Sequence, residues 1–121
     1  MKILLVQPPH YYNGGGRRPG NFPLGLGYIA KNLLNSGYEV EVLDIWAHQY
    51  SNEEVAQKIK TIDCDIIGIS ALSTQYAYVK WLVKELKNDM DCPVVVGNAL
   101  ATLTPEIVLN NTDTDLSLIH I

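Results

Sequence analysis

Few residues in this chain are of a type and spacing that could do chemistry. His10, within Pro8-Pro9-His10-Tyr11-Tyr12-Asn13, and His48 carry imidazoles that act as proton carriers or metal ligands near neutral pH. Neither has a Ser or Cys at a spacing that marks a nucleophile with its base. Cys64 and Cys92 lie 28 positions apart, in Asp-Cys-Asp and Asp-Cys-Pro settings, with no second Cys or His at zinc spacing. They read as reduced thiols. Gly14-Gly15-Gly16 is not followed directly by a helical pattern, and neither G-x-G-x-x-G nor a P-loop sequence occurs. Ser73 and Thr74 read as caps of a helix or, with Ser70 and the amides around them, as partners for a buried polar ligand group. No catalytic residue and no metal-ligating set is assigned, and the pattern is that of a domain that binds.

The elements that must position these residues alternate. Residues 2 to 7 form a continuous apolar run, as in a strand buried on both faces of a parallel sheet. A Gly- and Pro-rich loop follows from Pro8 to Pro23. Leu26, Ile29, Ala30, Leu33 and Leu34 are then spaced as one helix face, with Gly37 at the position of a left-handed cap. Residues 38 to 44 alternate as an edge-like strand ending in Asp44, and residues 44 to 50 read as a loop. Ser51-Asn52-Glu53-Glu54 opens a second helix carrying Val55, Ile59 and Ile62. Residues 66 to 70 form a third strand, and Tyr76, Val79, Val83 and Leu86 mark a third helix that includes a packed Trp81. Residues 94 to 97 form a fourth strand. Thr104 as N-cap and Pro105 at the first helical position open a short helix over 105 to 110.

This order predicts an α/β fold, a Rossmann-like or flavodoxin-like doubly wound parallel sheet in three α/β/α layers. Its last strand and helix are expected to be missing. Residues 1 to 115 are read as one domain. Residues 116 to 121 resemble the translation of a transposon end used in sequencing libraries and are read as a non-native tail, with a genuine apolar fifth strand as the other reading. Ligands of such sheets bind at the carboxyl ends of the strands, which selects the loops after residues 7, 44, 70 and 97.

Composition narrows the partners. The chain has 121 residues, 13 acidic against nine basic side chains and a formal charge of -4, which argues against a surface that tracks nucleic-acid phosphates. No apolar run approaches the ~20 residues of a membrane span, and Gln7-Pro8-Pro9 interrupts the opening run before a signal-peptide core forms. A soluble, cytoplasmic protein is expected, with no nucleic acid and no membrane as partner.

Several segments together carry a family likeness: Gln7-Pro8-Pro9, Phe22-Pro23-Leu24-Gly25-Leu26-Gly27-Tyr28-Ile29-Ala30, residues 38 to 44, Asp65-Ile66-Ile67-Gly68-Ile69-Ser70, Val96-Gly97 and Ala101-Thr102-Leu103-Thr104-Pro105-Glu106. Over residues 1 to 115 the chain resembles the N-terminal cobalamin (B12)-binding domain of B12-binding radical SAM proteins. The resemblance implies a domain that buries the nucleotide tail of cobalamin beside the sheet and presents the corrin to a downstream radical SAM domain in cis. That missing domain would hold S-adenosylmethionine and a 4Fe-4S cluster on a Cys-x-x-x-Cys-x-x-Cys motif, which this chain lacks. The fragment alone is therefore expected to be inactive, and the intact protein to be a methyltransferase or related radical enzyme.

Carried over by position, Ser70 and Leu72 match a Ser-x-Leu that lines the tail pocket, and Gly97 matches the first Gly of a Gly-Gly after the fourth strand. The cofactor-contact residues implied are Pro8, Pro9, His10, Ser70, Ala71, Leu72, Ser73, Gly97, Asn98 and Ala99. The chain departs from relatives that ligate cobalt through Asp-x-His-x-x-Gly, having Pro8 for the acid and Asn13 for the glycine. His10 thus lacks the carboxylate that would fix its tautomer. Asn98 replaces the second Gly, and Leu100 stands where radical SAM relatives often have His. Trp46 and His48 are read as covering the corrin edge, or Trp46 as a surface lid. The alternative is a flavodoxin-like or receiver-like signalling module built on Asp44. It lacks an acidic cluster after the first strand, a phosphoacceptor Asp after the third and a Ser/Thr-rich phosphate loop.

Overall fold

Four consecutive residues of β1 (Lys2–Gln7), Ile3 to Val6, are buried, because a helix layer covers each face of the strand. A computed structural model of the chain describes residues 1–9, 24–48 and 50–117. β1 pairs in parallel with β2 (Glu39–Asp44) on one side and β3 (Ile66–Ser70) on the other. β3 continues to β4 (Val94–Gly97) and β4 to β5 (Leu116–Ser117), so the sheet runs β2-β1-β3-β4-β5 with every pair parallel. This is the flavodoxin-like order, with its switch point between β1 and β3. The three-layer α/β/α expectation holds.

The side chains of β1 divide between the two faces. Ile3 and Leu5 pack with Leu26 and Ala30 of α1 (Leu24–Asn35). Leu4 and Val6 join the larger cluster, with Val55 and Ile59 of α3 (Asn52–Thr61) and Val79, Leu82, Val83 and Leu86 of α4 (Tyr76–Asp89). α1 ends as expected at Gly37, whose φ of 91° lets Gly37 N donate to Leu34 O and Tyr38 N to Leu33 O, both at 3.1 Å. At α3 the Ser51 hydroxyl accepts from Glu54 N at 3.2 Å, the predicted cap. Glu39 is exposed on β2, which lies at the sheet edge as its acidic face predicted. Trp81 packs against Tyr78, the ring centroids 5.4 Å apart.

Some expectations are corrected. The loop after β2 contains a short helix, α2 (Ile45–His48), started by Asp44, whose Oδ1 accepts from Ala47 N at 2.9 Å. Trp46 is only 6% exposed there and is neither a surface lid nor a side chain offered to a ligand edge. A 3-10 turn, Ser73–Gln75, precedes α4. The single helix expected over 105 to 110 is preceded by α5 (Ala99–Leu103), and the later one, α6 (Pro105–Asn111), has Pro105 in its first turn as predicted. Thr104 does not cap α6 through its side chain, because its hydroxyl donates back to Leu100 O at 2.9 Å. A two-residue fifth strand, Leu116–Ser117, pairs with β4 where the last strand was expected to be missing, in line with the other reading of this segment as a fifth strand.

A cavity at the carboxyl ends of the third and fourth strands

Between α1 and the carboxyl-terminal halves of β3 and β4 lies a cavity of about 500 Å³. Its α1 wall is Gly25 and Leu26, with Ile29 one turn further along. Its sheet wall is poor in side chains. Leu5 and Gly68 are register partners, and a Cβ added at Gly68 would come within 3.0 Å of Leu5 Cδ2. At Gly25 an added Cβ would meet nothing within 4 Å. Gly68, Ser70, Val95 and Gly97 line the floor, so little projects from β3 and β4 into the space.

The polar groups of this cavity belong to Ser70 and Asn98. Asn98 Nδ2 donates to Ser70 Oγ at 3.1 Å, and Asn98 Oδ1 accepts from Ala99 N at 2.8 Å, which starts α5. To do both, Asn98 adopts φ 72° and ψ -163°, a region that glycine populates freely and other residues rarely. The backbones of the two loops are also joined: Ala71 N donates to Gly97 O at 3.2 Å and Leu100 N to Ala71 O at 3.0 Å. The loops after β3 and β4 are thus one unit, built of hydrogen bonds that leave the cavity mouth polar and its floor apolar. Such a space suits a largely apolar ligand group with polar substituents at one end.

A second tie joins the loop after β1 to this unit. The Gln75 side chain is 2% exposed and makes three hydrogen bonds. Its Nε2 donates to Pro8 O at 3.1 Å and Pro9 O at 2.9 Å, and its Oε1 accepts from Leu72 N at 2.7 Å. Pro8 and Pro9 are buried, as befits two residues whose carbonyls are both fixed.

Of the residues picked from the sequence, Ser70, Gly97 and Asn98 line the cavity. Ala71 is fully buried and acts through its backbone, Leu72 is exposed, and Ala99 supplies the amide capped by Asn98. Pro8 and Pro9 stand behind the loops rather than in the cavity wall. His10 and the Ser73 side chain lie outside the described residues. Sequence reasoning missed Gln75 and the roles of Gly25, Gly68, Ile29 and Val95. Two signals were present: a glycine inside an apolar strand, and Gly25 spaced four residues from Ile29. Among the described residues no group of three or more His, Cys, Asp or Glu side chains could hold a metal, and no helix is long and apolar enough to cross a membrane.

Residues 20–116 match the B12 binding domain family. The chain belongs to that family. It is 34% identical over 112 residues to an uncharacterized methyltransferase of Pyrococcus horikoshii, covering 90% of this chain and 24% of that one. It is 30% identical to the cytidylyl-2-hydroxyethylphosphonate methyltransferase of Streptomyces wedmorensis, covering 95% of this chain and 25% of that one. Its fold superposes on the radical S-adenosylmethionine methyltransferase TsrM of Kitasatospora setae, solved with cobalamin and a 4Fe-4S cluster, with a TM-score of 0.72 at 19% identity. That match covers 90% of this chain and 20% of that one. The chain therefore spans about a quarter of the length of the curated relatives named above. Cobalamin is the cofactor of this family, and the cavity agrees with it: the glycines leave room beside the sheet, while Ser70 and Asn98 offer donors and acceptors at its mouth. The family match also decides against the receiver-like alternative.

Proposed function

We propose that this chain is the cobalamin-carrying domain of a radical SAM enzyme, with the nucleotide tail of the cofactor seated between α1 and β3–β4. The observation that carries the reading is the side-chain-poor floor of the cavity, Gly68 and Gly97, facing Gly25 on α1. In this reading Ser70, Asn98 and the amides of the two joined loops satisfy polar groups of the tail that would otherwise be costly to desolvate. Pro8, Pro9 and Gln75 set the path of the loop after β1, which carries His10, and Ala71, Leu72, Ser73 and Ala99 complete the surrounding loops. When bound, cobalamin supplies a cobalt-carried alkyl group. A radical SAM domain in cis would hold S-adenosylmethionine and a 4Fe-4S cluster, in an enzyme of the cytoplasm that transfers methyl groups or runs a related radical reaction. The named methyltransferase relatives support this part of the reading.

Titration of the purified chain with hydroxocobalamin, followed by the corrin absorption spectrum and by thermal stabilisation, tests it, with His10→Ala in parallel. Saturable binding that raises the melting temperature is expected. Saturable binding with a spectrum unchanged by His10→Ala supports a cobalamin module without a protein lower ligand, whereas loss of a histidine-ligated spectrum makes His10 the cobalt ligand. A folded chain that leaves the corrin spectrum unchanged at every concentration overturns the reading.

A further inference from the structure

At the opposite end of the sheet from the cavity, three sulfur atoms converge. Cys64 precedes β3 and Cys92 precedes β4, so the parallel pairing of these strands sets the two side by side. Their Sγ atoms are 4.0 Å apart, and Cys64 Sγ is 3.6 Å from Sδ of Met90. The strands between this cluster and the cavity, β3 and β4, are five and four residues long, or ~16 and ~13 Å at ~3.3 Å per residue. The cluster is held from several sides. Met90 closes α4, its N–H donating to Leu86 O at 2.8 Å, and Lys87 Nζ donates to Cys92 O at 3.1 Å. Cys92 is buried, while Cys64 and Met90 are partly exposed and give access from solvent.

Cys64 Sγ touches both of the other sulfurs, so two thiols and a thioether form a ligand set as well as a packing contact. With sulfur–metal bonds of roughly 2.3 Å, sulfur pairs 4.0 and 3.6 Å apart subtend angles of about 120° and about 100° at a shared ion. These lie in the trigonal-to-tetrahedral range. Hard cations need oxygen ligands, and structural zinc takes four nitrogen or sulfur ligands, whereas thiolate and thioether together select soft ions such as Cu(I). The geometry points to Cys64, Cys92 and Met90 as a three-sulfur site for one soft d10 cation of the Cu(I) class.

The electrostatics around the site set its pH behaviour. Burial pushes both thiols up, Cys64 to about 12, with Cys92, Asp63 and Asp65 adding to the rise at Cys64. At Cys92, Asp91 and Asp115 add to the rise, while hydrogen bonding from Cys64 and the charge of Lys87 oppose it. The free thiols are protonated at neutral pH. As the two thiolate–metal bonds form, both S–H bonds break and two protons leave to solvent; Met90 donates a lone pair and no electron transfer occurs. The surrounding carboxylates Asp63, Asp65, Asp91 and Asp115 favour the incoming cation and Lys87 opposes it.

The test is anaerobic titration of the reduced chain with Cu(I) against a chromophoric bicinchoninate or bathocuproine competitor, with Cys64→Ser, Met90→Leu and Cys92→Ser in parallel. One Cu(I) per chain is expected, about 100-fold weaker in Cys64→Ser and about tenfold weaker in Met90→Leu. Met90→Leu conserves volume and keeps the fold, so its result stands even if Cys92→Ser unfolds. Failure of the wild-type chain to compete, or wild-type affinity in Cys64→Ser, overturns the site. Wild-type affinity in Met90→Leu removes the thioether and with it the three-sulfur assignment. Hydroxocobalamin binding is a separate readout and is unchanged in all three variants.

Discussion

The Gln75 carboxamide donates to the carbonyl of Pro9 at 2.9 Å across 66 residues of sequence, and so couples the loop after β1 to the turn that starts α4. The same group holds Pro8 O and Leu72 N. A hydrocarbon in its place would leave these buried backbone groups without partners. Gln75→Met is expected to cost about 2–4 kcal/mol in denaturant unfolding. Gln75→Glu keeps the acceptor for Leu72 N but sets a buried carboxyl group against the two proline carbonyls, and is expected to cost at least as much as Gln75→Met. Because the two prolines lead directly into His10, both variants are also expected to weaken hydroxocobalamin binding more than they lower stability. Wild-type stability in Gln75→Glu would show that the donor to Pro8 and Pro9 is not what matters.

Gly25 separates the needs of folding from those of binding. It sits in the first turn of α1, where glycine costs up to about 1 kcal/mol relative to a good helix former. A side chain there meets open cavity rather than protein. Gly25→Leu is therefore expected to leave the melting temperature of the free chain equal or higher while reducing hydroxocobalamin affinity by about tenfold or more. Undiminished affinity in this variant would place the tail elsewhere than between α1 and the sheet.

Asn98 balances backbone strain against hydrogen bonds. Its φ of 72° with ψ -163° is a conformation that costs a non-glycine residue about 1–3 kcal/mol, while its side chain caps α5 and holds Ser70. Asn98→Ala keeps the strain and loses both bonds, so a loss of about 1–2 kcal/mol is expected. Asn98→Gly loses the same bonds but relieves the strain, and its stability is expected within about 1 kcal/mol of wild type. The order of the two variants in thermal denaturation checks this, and Asn98→Ala as the more stable would contradict it.

How far these features were legible in the sequence differs by their range. Local signals were sufficient for Ser51 as cap, Gly37 as left-handed end and the continuous burial of β1, because each depends on neighbours within a few residues or on one period. The parallel, doubly wound sheet followed from alternation and handedness, whereas its fifth strand was expected to be missing. Gln75 was not legible, since the carbonyls it binds are 66 and 67 residues away and an isolated Gln before a helix carries no mark. α5 was not legible either: five residues are too few for a periodic signal, and its start depends on an Asn in a glycine-like conformation. The cavity itself was half visible. Ser70 and Gly97 were picked out through family likeness, whereas Gly25 and Gly68 matter by the space they leave, and absent side chains leave no pattern of their own. The sulfur cluster shows the same limit, since zinc spacing rules describe local ligand pairs and not residues brought together by strand pairing.

Asp115 gives the fold a pH dependence at its last strand. Its carboxylate forms an ion pair with Lys87 of α4 and accepts from Val94 N at 2.8 Å, while its own N–H donates to Val94 O at 3.0 Å. The hydrogen bond from Lys87 and then that from Val94 hold the carboxyl below its ordinary 3.8. A carboxylate favoured in the folded state stabilises that state wherever the unfolded group would already be ionised, and ceases to do so once acid protonates it in both. The wild-type advantage over Asp115→Asn is therefore expected to be complete at neutral pH, to persist down to about the ordinary 3.8, and to vanish as the pH falls further through the depressed value. The group is largely exposed, so the advantage is small and screened by salt. Thermal melts of the two chains from neutral pH into acid, at low and high ionic strength, check this. A difference that grows on acidification would mean that the charge opposes the attachment of β5 to β4 instead of supporting it.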